Sequence, residues 1–179
     1  MAASRFALFE TPIGPCAIIW SERGVCGVQL PERSTGLTRA RVHRQFPEAS
    51  EAAPSEAVRP VIDGLTALLS GERVDLSFVE LDTRAVPEFH RRVYERTRAI
   101  PVGATVTYGD IARELGSVGL SRAVGQALGA NPFVLVIPCH RVVAADGKNG
   151  GFSGAGGVVT KLRLLEIEGV QTSDNLRLF

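Results

Sequence analysis

The sequence predicts an α/β protein in two parts: a small N-terminal antiparallel sheet with a covering helix, then a mostly helical C-terminal half carrying a helix-turn-helix. Three patterns predict it. Short apolar runs separated by turn residues fill positions 6–30, and one strongly amphipathic segment follows at 58–69. After Pro87 the periodicity is helical, with a four-residue glycine turn between two segments.

Taken in order, Phe6–Phe9, Cys16–Trp20 and Val25–Leu30 read as strands. Thr11–Pro15 and Ser21–Gly24 are the turns between them, which makes an antiparallel meander. Residues 32–56 contain breakers at Pro47 and Pro54 and room for one short helix near 37–45. Val58, Val61, Ile62, Leu65, Leu68 and Leu69 recur at helical spacing, so Val58–Leu69 is an amphipathic helix over the sheet, stopping at Gly71. Leu76–Leu81 reads as one more strand, and residues 82–87 as a linker.

Beyond the linker, Pro87 suits the start of a helix on which Phe89, Val93, Thr97 and Ile100 share a face. Thr107 can cap a helix over Tyr108–Leu115. Gly116–Gly119 turns the chain into a second helix, Ser121–Gly129. The apolar burst Phe133–Ile137 reads as a buried strand or extended segment, and Val158–Glu168 as a last helix with Gly169 as its C-cap. The domains expected are therefore 1–86 and 87–179.

At 179 residues the chain can bury a full core in one large or two small domains. No apolar run approaches the ~18 residues of a membrane span, and no secretory signal pattern opens the sequence. Three cysteines without a close pair argue against a disulfide framework and for a reducing cytoplasmic compartment. Residues 1–86 carry 9 basic against 11 acidic side chains, and residues 87–179 carry 11 against 8. A polyanion, if one binds, belongs to the second half.

Pro138-Cys139-His140-Arg141 is the stretch with chemistry in it. Pro138 cannot extend a sheet ladder, so Cys139 is delivered from buried structure to a turn beside two basic residues. Ser121-Arg-Ala-Val-Gly-Gln-Ala127 is built mostly of very small residues, which lets a backbone sit close to a surface from which Arg122 projects. That surface is either a neighbouring helix or a nucleic acid. Chemistry on a base inside a duplex requires flipping the base out, and a guanidinium can stack in the space left behind.

Thr107-Tyr-Gly-Asp110, Ser121-Arg-Ala-Val-Gly125, Gly129-Ala-Asn-Pro132, Ile137-Pro-Cys-His-Arg-Val-Val143 and Leu164-Leu-Glu-Ile-Glu-Gly169 lie in order across residues 87–170. With these five blocks the chain resembles the O6-alkylguanine-DNA alkyltransferases, or methylated-DNA–protein-cysteine methyltransferases. Glu10-Thr-Pro-Ile-Gly14 extends the likeness into the N-terminal part. The resemblance implies a ribonuclease-H-like N-terminal domain and a single irreversible transfer of an alkyl group from O6-methylguanine, flipped from duplex DNA, with O4-methylthymine as an open second substrate. It assigns the acceptor to Cys139, its base to His140 acting through a water, and the orienting carboxylate to Glu168. Asn131 becomes a hinge bracing the site, and Tyr108 a group beside the flipped nucleotide that protonates the leaving purine or repels its phosphate. Ser121, Ala123 and Gly125 accompany the Arg122 finger on DNA, and Val142, Phe152, Ser153 and Lys161 form the substrate pocket.

Elementary chemistry supports these roles. Displacement at an alkyl carbon needs a soft nucleophile, and a free thiol of pKa ~8.5 is only partly ionised at neutral pH. A histidine held by a carboxylate supplies the base, and a donor such as Lys161 or Tyr108 should face the developing charge on O6. The thioether product is final, so each molecule reacts once, as a monomer on double-stranded DNA, with no cofactor, metal, membrane or obligate protein partner. Some relatives hold a structural zinc. No CxxC occurs here, and Ser21 stands where a first-strand cysteine ligand is expected.

The remaining residues have plain readings. Cys16 and Cys26 are expected to be buried small apolar residues, His43 and His90 to be solvated, and Arg141 to be a structural ion-pair partner. An acid at a helix C-terminus is electrostatically ill placed, so Glu168 calls for a functional reason. Phe152 stands where the family often has tyrosine, in a loop one residue longer than the commoner one. Rival classes are a non-catalytic alkyltransferase-like damage-binding protein, a cysteine hydrolase and a transcription factor. The first replaces the cysteine, the second needs side chains that adjacent positions on an extended backbone point apart, and the third leaves the thiol unused.

Overall fold

A computed structural model of the protein describes residues 3–146 and 156–171. The chain divides into two units. One holds the residues up to Ala85 together with Pro132–Val136, and the other holds Val86–Asn131 and the chain from Ile137 onward.

In the first unit β1 (Arg5–Thr11), β2 (Gly14–Ser21) and β3 (Gly24–Gln29) form the antiparallel meander. A two-residue strand β4 (Ser50–Glu51) adds a parallel edge on β1, giving the order β3-β2-β1-β4. Phe6, Leu8, Ala17 and Ile19 share a face through the β1–β2 register. That face packs with Val42 of α1 (Thr35–Gln45) and with Ala49. Ser34 caps α1 through Leu37 N–H. The second helix, α2 (Arg59–Leu69), buries Val61, Leu65, Leu68 and Leu69 and packs along β1.

Three expectations fail here. Cys26 is only half-buried, because it falls in a bulge: Val25 pairs with Trp20 and Gly27 with Ile19, leaving Cys26 out of the ladder. No strand forms over Leu76–Leu81. Asp75 Oδ1 accepts from Ser77 N–H at 2.8 Å and Val79 N–H donates to the Leu76 carbonyl at 3.1 Å, so the chain turns. Leu81 makes only an isolated bridge with Val25.

Phe133–Ile137 is not a strand either. Phe133 bridges Val28, and then Leu135 turns the chain at φ 75°, the one non-glycine in the left-handed region among the described residues. That conformation costs about 1–2 kcal/mol. Burying the Leu135 side chain, 2% exposed, recovers about 1.5–3 kcal/mol. The run is apolar for packing rather than for pairing.

The second unit is helical. Pro87 precedes α3 (Glu88–Arg98), whose buried face is Val93, Tyr94 and Thr97, with Ile100 beyond it. Tyr94 Oη donates to the Ala127 carbonyl at 2.7 Å and so ties α3 to α5 (Ser121–Gly129). Thr107 caps α4 (Tyr108–Glu114) in a reciprocal capping box with Asp110. Gly116, at φ 126°, and a 3₁₀ turn over Val118–Leu120 connect α4 to α5. Strands β5 (Val106–Thr107) and β6 (Val142–Val143) pair in parallel, which sequence periodicity was too short to reveal. α6 (Gly157–Ile167) ends at Glu168, with Gly169 left-handed as expected. No helix among the described residues is long and apolar enough to cross a membrane.

Candidate active site

Pro138 leads into a 3₁₀ turn formed by Cys139, His140 and Arg141. The turn is closed by Cys139 N–H on the Ile137 carbonyl (2.8 Å) and Arg141 N–H on the Pro138 carbonyl (2.9 Å). Cys139 is 7% exposed. Burial pushes its thiol above the ordinary value, while a hydrogen bond from the Asn131 side chain and the charge of Lys161 pull the other way. Asn131 is itself fixed, its Nδ2 donating to the Ile137 carbonyl at 3.0 Å. Thiol and carboxamide are thus held in one short loop.

The next two side chains converge on Glu168. His140 Nε2 lies 2.7 Å from Glu168 Oε1, and Arg141 reaches both oxygens, Nε to Oε2 at 2.9 Å and Nη2 to Oε1 at 2.8 Å. Arg141 Nη1 also donates to the Ile100 carbonyl at 2.6 Å. Burial would raise the Glu168 carboxyl, but the hydrogen bonds and charges of His140 and Arg141 outweigh it and hold it at about 2. An ionised carboxylate only accepts, so Nε2 of His140 carries the proton and Nδ1 keeps the lone pair. Nδ1 is buried without a hydrogen-bond partner among the described residues. Full burial lowers the His140 pKa, with Glu168 opposing, so the ring is neutral at neutral pH. The unfavourable charge at the end of α6 is matched by the bidentate Arg141, which is structural as expected.

Lys161 of α6 is fully buried, its Nζ donating to the Val142 carbonyl at 2.7 Å and lying 5.7 Å from the centroid of the Tyr108 ring. Burial brings its pKa down to about 8, with the Cys139 charge opposing. The phenols of Tyr108 and Tyr94 are both raised, first by burial and then by the Cys139 charge. Val142 has both backbone groups engaged, its N–H on the Cys139 carbonyl and its carbonyl on Lys161.

A groove of about 790 Å³ opens between α4 and α5, lined by Tyr108, Gly109, Arg113, Val118, Arg122 and Gln126 among others. Ser121 and Gly125 also line it, whereas Ala123 is half-buried elsewhere on α5 and does not. Arg122 is exposed. The structure therefore brings Asn131, Cys139, His140 and Glu168 into one cluster, Tyr108, Val142 and Lys161 into a second, and Arg122, Ser121, Gly125 and Tyr108 onto the groove. Phe152 and Ser153 lie outside the described residues.

Sequence reasoning missed Tyr94, although it sits next to Val93 on the buried face of α3. It also missed Gln126, four residues beyond Arg122 and so on the same side of α5. No group of three or more metal-ligating side chains occurs among the described residues. Ser21 Oγ, in the zinc ligand's expected place, donates to Asp82 at 2.7 Å.

Residues 4–83 match the family described as 6-O-methylguanine DNA methyltransferase, ribonuclease-like domain, and residues 88–170 match its DNA binding domain. A methylated-DNA–protein-cysteine methyltransferase of Mycobacterium tuberculosis is 36% identical over 177 residues, covering 97% of this chain and 98% of its own length. A Thermus thermophilus DNA base-flipping protein is 42% identical over 160 residues, covering 89% of this chain and 96% of its own. Among solved structures, M. tuberculosis OGT in complex with DNA superposes with a TM-score of 0.74 at 33% identity, covering 92% of each chain.

Proposed function

The chain belongs to the 6-O-methylguanine DNA methyltransferase family, and from that premise we propose that it repairs alkylated duplex DNA by moving the alkyl group onto Cys139. The observation that carries this reading is the buried thiol hydrogen-bonded by Asn131, followed in sequence by a histidine locked on a buried carboxylate.

The flipped O6-methylguanine enters past Tyr108 while Arg122, projecting from a helix of small residues, fills the stack. The sulfur of Cys139 attacks the methyl carbon, a C–S bond forms, and the C–O bond breaks with its electrons going to guanine O6. The thiol proton passes through water to Nδ1 of His140, whose Nε2–H is anchored by Glu168. The resulting imidazolium sits against a carboxylate that remains ionised, which is where the base gains its strength. Lys161, a cation below pH about 8, stabilises negative charge at O6, and the Tyr108 hydroxyl supplies the proton to the purine. No group here cleaves a thioether, so the protein is spent. Ser153 and Phe152 complete the pocket in this reading, as do the backbone of Val142 and its neighbours.

The protein acts as a monomer in the cytoplasm on double-stranded DNA, needing no cofactor and no protein partner. Its three free cysteines suit a reducing compartment. A second reading, base flipping without transfer, is favoured by the Thermus thermophilus relative's name alone, and it leaves the ordered Cys139–His140–Glu168 set without a use.

Incubation with a duplex carrying one methyl-labelled O6-methylguanine separates the two. Label should move to the protein, stop at one equivalent, and be lost in Cys139→Ser. Repeated turnover, or transfer that survives the substitution, overturns the proposal; flipping with no transfer selects the second reading.

A further inference from the structure

We propose that Gln126 reads a base-pair edge beside the flipped nucleotide, so that repair by this protein depends on the sequence next to the lesion. The inference rests on the alkyl-transfer reading above. α5 buries Val124, Ala127 and Leu128 and turns Ser121, Arg122, Gly125, Gln126 and Gly129 to the groove. Three of those five are serine or glycine, so the helix backbone can approach a duplex closely. Arg122 and Gln126 are the two long side chains on this face, both exposed and four residues apart.

Their chemistry divides the work. The guanidinium of Arg122 brings charge and a stacking plane. The Gln126 carboxamide brings no charge and therefore adds little to phosphate affinity. It presents one donor and one acceptor side by side, which match the paired groups on a purine edge. Adenine offers such a pair in the major groove, and guanine adds the amino donor that marks G·C in the minor groove. Because the side chain is exposed, an alanine would serve the packing of α5 equally well. Four residues of helix rise about 6 Å, and one base step is about 3.4 Å. With α5 laid along the duplex, Gln126 reaches a pair up to about two steps from the nucleotide that Arg122 replaces.

The test uses a set of duplexes with one O6-methylguanine, identical except for the base pair at one, two or three steps on either side. Single-turnover transfer rates are measured at one salt concentration, below saturation, for the wild type and Gln126→Ala. Wild-type rates should differ by about fivefold or more at one of these positions, the discrimination of a good two-bond contact, and Gln126→Ala should shrink that spread to below twofold. Preference for A·T assigns the major-groove edge and preference for G·C the minor. A flat wild-type profile, or a spread that survives in Gln126→Ala, overturns the inference. Each comparison is made among duplexes with one protein, so a general loss of activity or fold cancels. Transfer to the wild type on no duplex is a different failure, that of the alkyl-transfer reading itself.

Discussion

Glu168→Ala should destabilise the helical unit by about 3–5 kcal/mol, the cost of stripping one partner from a buried charged pair. The structure gives two routes to that size. Geometrically, the carboxylate accepts two hydrogen bonds from Arg141 and one from His140, all between 2.7 and 2.9 Å, and its loss leaves a buried guanidinium with only the Ile100 carbonyl among the described residues. Electrostatically, a carboxyl held at about 2 rather than 4.5 is worth about 3 kcal/mol at neutral pH. The folded pKa is depressed, so this stabilisation is fully present above pH about 4.5 and is lost as pH falls towards 2. Urea unfolding followed by far-ultraviolet circular dichroism measures it. The gap between wild type and Glu168→Ala should be full at pH 7 and should narrow below pH 4.5. The double variant Arg141→Met with Glu168→Leu leaves His140 Nε2 and the Ile100 carbonyl without these partners but leaves no buried charge unpaired, so it should be less destabilised than Glu168→Ala. A single-variant loss below about 1 kcal/mol, a gap that does not change with pH, or a double variant as damaged as the single would refute the idea of a buried electrostatic hub.

The site's pH dependence and its DNA face give two further expectations. Transfer from free O6-benzylguanine should slow as pH rises through about 8, where Lys161 loses its proton, and Lys161→Met should lack that alkaline limb; a rate that climbs steadily to pH 9.5 in both proteins would remove Lys161 from the charge-stabilising role. Arg122→Ala should slow repair of duplex DNA far more than reaction with free O6-benzylguanine, and equal losses on the two substrates would dismiss the stacking arginine.

What the sequence made legible follows from range. Caps and helix ends are local, and Thr107, Pro87 and Gly169 were read correctly because each acts within four residues. The meander and both α4 and α5 carried enough periodicity to be seen. The failures have a different cause. At Leu76–Leu81 an Asx contact from Asp75 and a turn hydrogen bond from Val79 to Leu76 bent the chain where apolar content argued for a strand. At Phe133–Ile137 burial on all sides produced the same apolar run that a ladder would, and only the left-handed Leu135 tells them apart. Cys26 escaped burial through a one-residue bulge. In the site, Cys139 and His140 were adjacent and obvious, but Glu168 lies 28 residues away, and only the resemblance joined it to them. That Arg141 would share the same carboxylate, and that Val142 would accept from Lys161, are long-range facts that no local pattern encodes.

A buried thiol whose pKa is raised is a weak nucleophile at rest, and for a protein consumed by its own reaction that is useful. Oxidation and stray alkylation both follow thiolate character and exposure, and Cys139, 7% exposed, is shielded on both counts. The shielding would also suppress the wanted reaction unless the proton is removed during attack. In the proposed reaction, therefore, the base must be neutral beforehand and oriented without freedom to choose its tautomer. Burial keeps His140 neutral, and the Arg141-anchored Glu168 fixes which nitrogen holds the proton. In the proposed reaction Lys161 follows the same logic: with a pKa brought down to about 8 by burial, it can still be charged as O6 develops charge, at less desolvation cost than a lysine of ordinary pKa. On the proposed mechanism the thiol waits protonated, and its reactivity is assembled only with a substrate in place.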